Sequence, residues 1–349
     1  MHKSTPKTHK PVVVIPNLNG GEELLKAVRS LEAQTLQPYI IVVDNASTDG
    51  SSDRAASEFP EIELIRHTKN KGYAGGVNPG IRRAIEIGAT YVAPFNDDAV
   101  ADKLWLEKLV TFLDDHPGYA AACCKVLKDD QKSLDSTGDY LTHWGLPYPR
   151  GRGETDRDQY DIPGENGVCD IFAASGAASL FRVEALKEVG LFDEDFFAYY
   201  EDVDLSFRLQ NTGWKVGYVP AARVYHKVGM TSERMKGFTT YQTMKNQPLL
   251  LWKNLPLALW PRVVPRFMLA YFLFMARAFQ RGQGGYAVKG MVVGLVLEIA
   301  KLSDRRKIQR TRKLSNQQLW LMFVKDLPPN AHALRSLRGK WWRMRGRRA

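Results

Sequence analysis

Three cysteines, Cys123, Cys124 and Cys169, are all that 349 residues contain, and none has CxxC spacing. That argues against a disulfide framework and a thiolate zinc site, and for a reducing compartment. The dinucleotide fingerprint GxGxxG and the phosphate loop GxxxxGK[ST] are absent, so nicotinamide and P-loop chemistry are not favoured. No apolar run reaches the roughly 20 residues that span a bilayer. Residues 1–10 are polar and basic where a secretory signal would carry an apolar core, so they are expected to be a disordered basic N-terminus and the protein is placed on the cytoplasmic side. Acidic charge is scarce only at one end: residues 301–349 hold 15 of the 49 Lys and Arg but only Asp304 and Asp326 among 38 acidic residues. The net charge of +11 is therefore a property of the tail.

What is present, at 44% hydrophobic and 25% charged residues, is an ordinary globular composition. Apolar runs at 11–15, 39–43, 62–66 and 91–96 alternate with segments of helical periodicity at 22–34, about 52–58, 81–87 and 102–116. Strands nearly continuous in apolar residues imply a mostly parallel sheet covered by helices on both faces, an α/β fold. Ligands of such sheets bind beyond the carboxyl ends of the strands. Four polar or glycine-rich loops would meet there: 16–21, 44–51, 70–80 and 96–98. A further strand is expected at 119–127, then a long loop at 129–166, a bent strand or strand pair at 171–181, helices at 183–189 and about 201–212, and short strands at 214–218 and 223–226.

Two acidic clusters carry candidate chemistry. Asn96-Asp97-Asp98 places two adjacent carboxylates at a strand end, an arrangement that a divalent cation would neutralise; a helix-capping loop is the other reading. Glu201, Asp202 and Asp204 open a predicted helix, where the exposed amides and the dipole favour acidic residues. Directly before them stands Phe196-Phe197-Ala198-Tyr199-Tyr200, whose bulk would raise a carboxylate's pKa toward the range of a general base. Asp202 is the best-placed candidate. His226 ends a strand, where a histidine is more often a satisfied structural residue than a ligand, but if that strand returns to Asp98 the two would suit manganese or magnesium completed by substrate phosphates.

In this order Val12–Gly20, Val42–Ser51, Asn70–Gly80, Phe95–Asp98 and Tyr200–Leu205 resemble the inverting family 2 glycosyltransferases, and among them the bacterial rhamnosyltransferase-like subgroup. The similarity spans about residues 11–235. It implies a Rossmann-like GT-A catalytic domain there, with a donor half at about 11–127 and an acceptor half at about 128–235. By residue, it implies that Asp44 reads the nucleobase beside Pro16, Asn19 and Asn45, and that Asn70, Gly72 and Asn78 line the nucleotide. Asn96, Asp97 and Asp98 match a DxD-type motif with Asn in first place, Asp98 being the principal ligand of Mn2+ or Mg2+. Asp202, next to Glu201, matches the catalytic base and His226 the metal-binding histidine.

Residues 236–349 are expected to form a helical membrane-interface region with a basic tail. Its apolar runs are short and interrupted by Pro256, Pro261 and Pro265. From Pro265 onward Arg266, Arg277 and Arg281 fall in one stripe of an otherwise apolar helix, the pattern of a helix lying in an interface. Arg305, Arg306, Lys307, Trp320 and Lys340–Arg348 interleave cations with aromatics, which suits anionic headgroups. A helical extension packed on the catalytic domain is the alternative, and nucleic acid is disfavoured as a partner. The function expected is transfer of a sugar, with rhamnose the subgroup's pointer, from a dTDP- or UDP-sugar to a lipid-linked or polysaccharide acceptor of the cell surface. The competing expectation is a non-catalytic nucleotide-sugar-binding or scaffold subunit. Sugar, acceptor and oligomeric state are not legible.

Overall fold

A computed structural model describes residues 10–164, 167–227, 235–325 and 327. Most of the basic N-terminus, the tail from 328 with its Lys340–Arg348 cluster, and Asn166 of the long loop lie outside the described residues. Two compact units are distinguished, residues 1–139 with 149–236, and residues 140–148 with 237–349.

In the first unit β1 (Val12–Asn17), α1 (Gly21–Glu32), β2 (Tyr39–Asp44), α2 (Ser51–Glu58), β3 (Glu63–Arg66), α3 (Gly72–Glu86) and β4 (Tyr91–Pro94) alternate as the pattern requires. Then come β5 (Ala99–Ala101), α4 (Trp105–Asp115), β6 (Tyr119–Lys128), β7 (Leu134–Ser136), β10 (Cys169–Asp170), β11 (Leu180–Arg182), α5 (Val183–Val189), α6 (Glu201–Asn211) and β12 (Lys215–His226), whereas β8 (Asp139–Leu141) and β9 (Pro147–Pro149) fall mostly in the second unit. The main sheet runs β10-β12-β6-β11-β4-β1-β2-β3, with β5 on β12 and β7 on β6. Strands β4, β1, β2 and β3 are mutually parallel, while β11 enters antiparallel between β4 and β6. Successive residues of β1 serve opposite cores: Val13 and Ile15 pack with α1 and α4, Val12 and Val14 with α3, α5 and α6. A strand buried on both faces needs this continuous apolar run.

Three expectations change. The glycine-rich stretch at 72–80 is the first half of α3 rather than a loop. Gly80 and Gly76 bring that helix against Val14 and Pro16, where a Cβ would lie 2.3 and 3.2 Å from side-chain carbon. Pro79 is tolerated inside α3 because the carbonyl its missing N–H abandons, Gly75 O, meets His67 Nε2 at 3.1 Å. The bent strand at 171–181 is reduced to β11. The two short strands near the end of this unit are one bulged strand, β12, parallel to β6 and antiparallel to β5.

The long loop contains β7 and an ionic knot. Lys125, fully buried on β6, places Nζ 2.8 Å from Asp158 and from Asp161 and 3.0 Å from Asp156. Asp161 also accepts from the Tyr218 hydroxyl at 2.9 Å.

The second unit holds α7 (Phe238–Asn254), α8 (Trp260–Gln280), α9 (Gly284–Ala300), α10 (Leu302–Thr311) and α11 (Asn316–Met322). Prolines 261 and 265 do not interrupt α8; the first occupies its opening turn, where an N–H is unsatisfied anyway. Residues 257–280 are, by length and composition, long and apolar enough to cross a membrane. Helix α9 sits close on α7 because Gly290 and Gly294 leave room for Tyr241 O and Lys245 O. Two residues assigned to headgroups make contacts within the unit, one of them buried. Arg305 is buried between Trp252 and Trp260 and donates to Leu255 O at 3.1 Å. Trp320 stacks on His143 at 3.8 Å. An arginine covered by two indoles and spent on a helix-end carbonyl is a C-cap, so the basic run at 305–307 presents less charge to the surface than its sequence suggests.

Candidate active site

The polar ends of β1, β2, β4 and β12 are joined by side chains. Asn17, fully buried, donates to Ser47, Ser51 and Ser52 Oγ at 3.1, 2.9 and 2.8 Å and accepts from Gly20 N at 3.0 Å. A Cβ on Gly20 would lie 2.5 Å from Asn17 Oδ1 and 2.9 Å from Asp97 Oδ2, so only glycine admits both. Asn19, at φ 56°, accepts from Thr48 N at 2.7 Å, and Pro16 packs at Gly76. Asp44 accepts from Ser47 N at 2.9 Å and pairs with Arg66 at 3.2 Å.

Asn45 donates to Asn70 Oδ1 and Gly72 O at 3.0 and 2.9 Å and accepts from Lys71 N at 2.9 Å, so it shapes the 70–72 turn. Asn78, nominated for the nucleotide, is buried and directed into the protein: it donates to Phe192 O and Glu194, both at 2.9 Å, and accepts from Phe192 N. Gly72 has φ +71°, and a Cβ there would fall 2.3 Å from Phe197 O. Gly72→Ala is expected to lower stability by about 2–3 kcal/mol, through the left-handed backbone and the clash, measured by denaturant unfolding.

Strand β12 does return to the acidic loop. His226 pairs with Ala99 in register, which sets Nε2 2.9 Å from Asp98 Oδ1 and 3.0 Å from the Asn96 amide. Nδ1 lies 3.0 Å from Asp135 Oδ2. Burial works against the imidazolium, but the hydrogen bonds it donates to Asp135 and Asp98 outweigh that and push His226 up to about 10. Asp97 is pushed up to about 7, first by burial and then by Asp98, while Leu18 N donates to it at 3.2 Å. Among the described residues no group of three or more His, Cys, Asp or Glu forms a metal cage. The pair still fits a hard cation. Ligands in neighbouring positions of an octahedron of about 2.1 Å radius are about 3.0 Å apart, and a carboxylate on the far imidazole nitrogen is the usual support of a ligating histidine. The remaining ligands would come from phosphate and water.

Asp202 stands at the start of α6, its Oδ2 accepting from Gly176 N at 2.9 Å and its Oδ1 from Val203 N at 2.8 Å. Burial raises its pKa against these bonds. The acidic trio separates by role: Asp204 is buried in an ion pair with Arg208 at 2.9 Å, Glu201 is buried in the first turn, and only Asp202 retains partial exposure. Reading the sequence missed Asn17, Asp135 and Asp139. Asp139 is buried beside Asp202, and burial, then Asp202, hold its carboxyl well above the ordinary range. Both aspartates lie in the long loop, without a motif to mark them. Asn17 was visible only as one polar residue beside Asn19.

Residues 12–190 match the family model for Glycosyl transferase family 2. The N-acetylglucosaminyl-diphospho-decaprenol L-rhamnosyltransferase of Mycobacterium tuberculosis is 31% identical over 235 residues, 62% of this chain and 75% of that one. The dTDP-rhamnosyl transferase RfbF of Shigella flexneri is 26% identical, over 62% and 71%. Among solved structures, GalNAc-T7 with UDP, GalNAc and Mn2+ superposes at TM-score 0.55 and 16% identity, covering 71% of this chain and 48% of that one. The mannosyltransferase PcManGT of Pyrobaculum calidifontis with GDP-Man and Mn2+ gives 0.53 and 17%, covering 94% and 87%. These two share the GT-A architecture, a central sheet between helices. The chain belongs to glycosyl transferase family 2 and is a glycosyltransferase with the GT-A fold.

Proposed function

We propose that the protein transfers a deoxyhexose, with rhamnose first among candidates, from a dTDP- or UDP-sugar to a lipid-linked or polysaccharide acceptor, inverting the anomeric centre. The observation that carries this reading is the convergence of Asp98, His226 and Asp202 at the rim formed by the β1, β2 and β4 loops. The names of the two relatives above support the sugar, and a diphospho-lipid acceptor is carried over from the first of them. Asp202 accepts the proton of the acceptor hydroxyl while its oxygen attacks the anomeric carbon opposite the departing diphosphate; one displacement at carbon gives inversion. Asp44 and the 45–48 turn hold the base and sugar of the nucleotide, and the 70–72 turn orders its flank. Asp98 and His226 would hold Mn2+ or Mg2+, which when bound neutralises charge developing on the diphosphate. Asp98→Ala is expected to lower metal-stimulated turnover roughly 10²-fold or more, read as nucleoside diphosphate released from dTDP-rhamnose with an N-acetylglucosaminyl-diphospho-lipid. Wild-type protein that binds dTDP-sugars without turning any over would favour the scaffold reading instead.

The cytoplasmic face of an anionic membrane is the proposed workplace. Helices α8 and α9 keep Leu269, Phe272, Leu295, Val296 and Ile299 exposed, with Arg266 and Arg281 also at the surface, which suits burial in a headgroup layer. Phe272→Glu combined with Leu295→Glu should cut sedimentation with vesicles containing phosphatidylglycerol about tenfold or more, each apolar side chain being worth about 1.5–3 kcal/mol. Unchanged sedimentation would count for helices that serve packing alone.

A further inference from the structure

The turn Ser175-Gly176-Ala177 joins three parts of the candidate site. Ala177 O accepts from Asn96 N at 2.9 Å, at the head of the acidic loop. Gly176 N donates to Asp202 Oδ2 at 2.9 Å. Gly176 O accepts a short hydrogen bond from the hydroxyl of Tyr73, in the first turn of α3. A Cβ built on Gly176 would stand 3.3 Å from the Tyr73 hydroxyl and 3.4 Å from Asp202 Oδ2, so the phenol and the carboxylate flank one backbone unit. Tyr73 is itself fixed. Its N–H donates to Phe197 O at 2.6 Å, and its ring meets Phe192 edge-on at 6.0 Å. Phe197, Tyr199 and Tyr200 all have positive φ, at 64°, 69° and 71°, just ahead of Glu201 and Asp202. Such backbone persists only where its surroundings over-determine it.

We propose that Tyr73 is a positioning residue: its hydroxyl, through Gly176, orients the Asp202 carboxylate toward the acceptor and ties that orientation to the 70–72 turn on the donor side. The phenol does not touch the reacting atoms. Burial, with Glu201, Asp202 and Asp97 adding, pushes it well above the ordinary tyrosine range, so it stays a neutral donor at working pH. Removing the hydroxyl frees the Gly176 carbonyl and lets the carboxylate turn. Misplacing a base costs rate, because the reaction needs it within hydrogen-bond reach of the proton.

The inference rests on the transferase reading, and the test separates the two. With dTDP-rhamnose, Mn2+ and an N-acetylglucosaminyl-diphospho-lipid acceptor, Tyr73→Phe is expected to lower kcat about 10- to 100-fold, with donor KM and the Kd for dTDP by calorimetry within about twofold of wild type. Gly176→Ala keeps the phenol, presses a methyl between it and Asp202, and should lower kcat in the same way. Wild-type turnover with Tyr73→Phe within about twofold in kcat overturns the positioning role and leaves the transferase reading intact. A fall in kcat matched by an equal loss of dTDP affinity also overturns it, by making Tyr73 a donor-site residue. If Tyr73→Phe does not fold, Gly176→Ala decides: unchanged kcat in that variant overturns the proposal. Absence of wild-type turnover strikes the transferase reading itself.

Discussion

Asp202→Asn is expected to lower kcat by roughly 10²- to 10⁴-fold while leaving dTDP affinity unchanged, the range for removal of a general base from an otherwise ordered site. With Asp202 as the proposed base, the same residue is expected to set the acid limb of the pH profile. Burial raises Asp202 above its ordinary value of 3.8, so kcat/KM falls as pH drops through the raised value, not near 4. The stability consequence has the opposite sign to that of a salt-bridged carboxylate. Between the ordinary and the raised pKa the native state binds more protons than the unfolded chain, so stability decreases as pH rises across that window. At neutral pH ionised Asp202 is a destabilising group, and Asp202→Asn removes that term. The variant's melting temperature relative to wild type should therefore be more favourable at neutral than at acid pH, and a uniform loss at all pH would mean that its bonds to Gly176 and Val203 dominate.

Lys125→Met is expected to destabilise the first unit by about 3 kcal/mol and lower its melting temperature by roughly 6–12 °C. Methionine fills much of the volume of the fully buried stem, so the loss is electrostatic: Asp156, Asp158 and Asp161 are left facing one another without their cation. Asp158 is 68% exposed, which lets water take up part of the charge and keeps the figure at the lower end for a broken buried ion pair. Releasing the knot frees residues 156–161, and the variant should be cut there by protease sooner than wild type. Thermal melts and limited proteolysis check the two parts separately. Restored stability in Lys125→Met combined with neutralised Asp156 and Asp161 would confirm that uncompensated charge, not packing, is the cause.

The elements most legible in the sequence were those whose physics is local. The apolar runs of β1, β2 and β4 admit no reading but a sheet buried on both faces, and the segments feeding α1 and α4 have helical spacing. The polar loop ends at Asp44 and Asn96–Asp98 were visible for the same reason, since polar residues interrupting an apolar run are conspicuous. The 72–80 segment was misjudged because glycine's low helix propensity is a local rule, and here tertiary packing overrides it: Gly76 and Gly80 are what lets α3 touch β1. Arg305 was misjudged similarly, as a charge in a basic run whose destination between two tryptophans no spacing reveals.

What the sequence by itself determined is the alternation of strands and helices, the set of polar strand ends, and the residue types able to hold a nucleotide diphosphate and take a proton. These follow from hydrophobic periodicity and side-chain chemistry, which are properties of neighbours in the chain. Only the tertiary structure decided which of those residues meet. His226 reaches Asp98 across 128 residues because β12 pairs with β5; Asp135 supports it from a loop with no motif; Asp204 leaves the acidic trio for Arg208; and Asn78 turns inward to Phe192. Such pairings are long-range, and a carboxylate's role as ligand, base or ion-pair partner depends on what the fold places within hydrogen-bond reach of it.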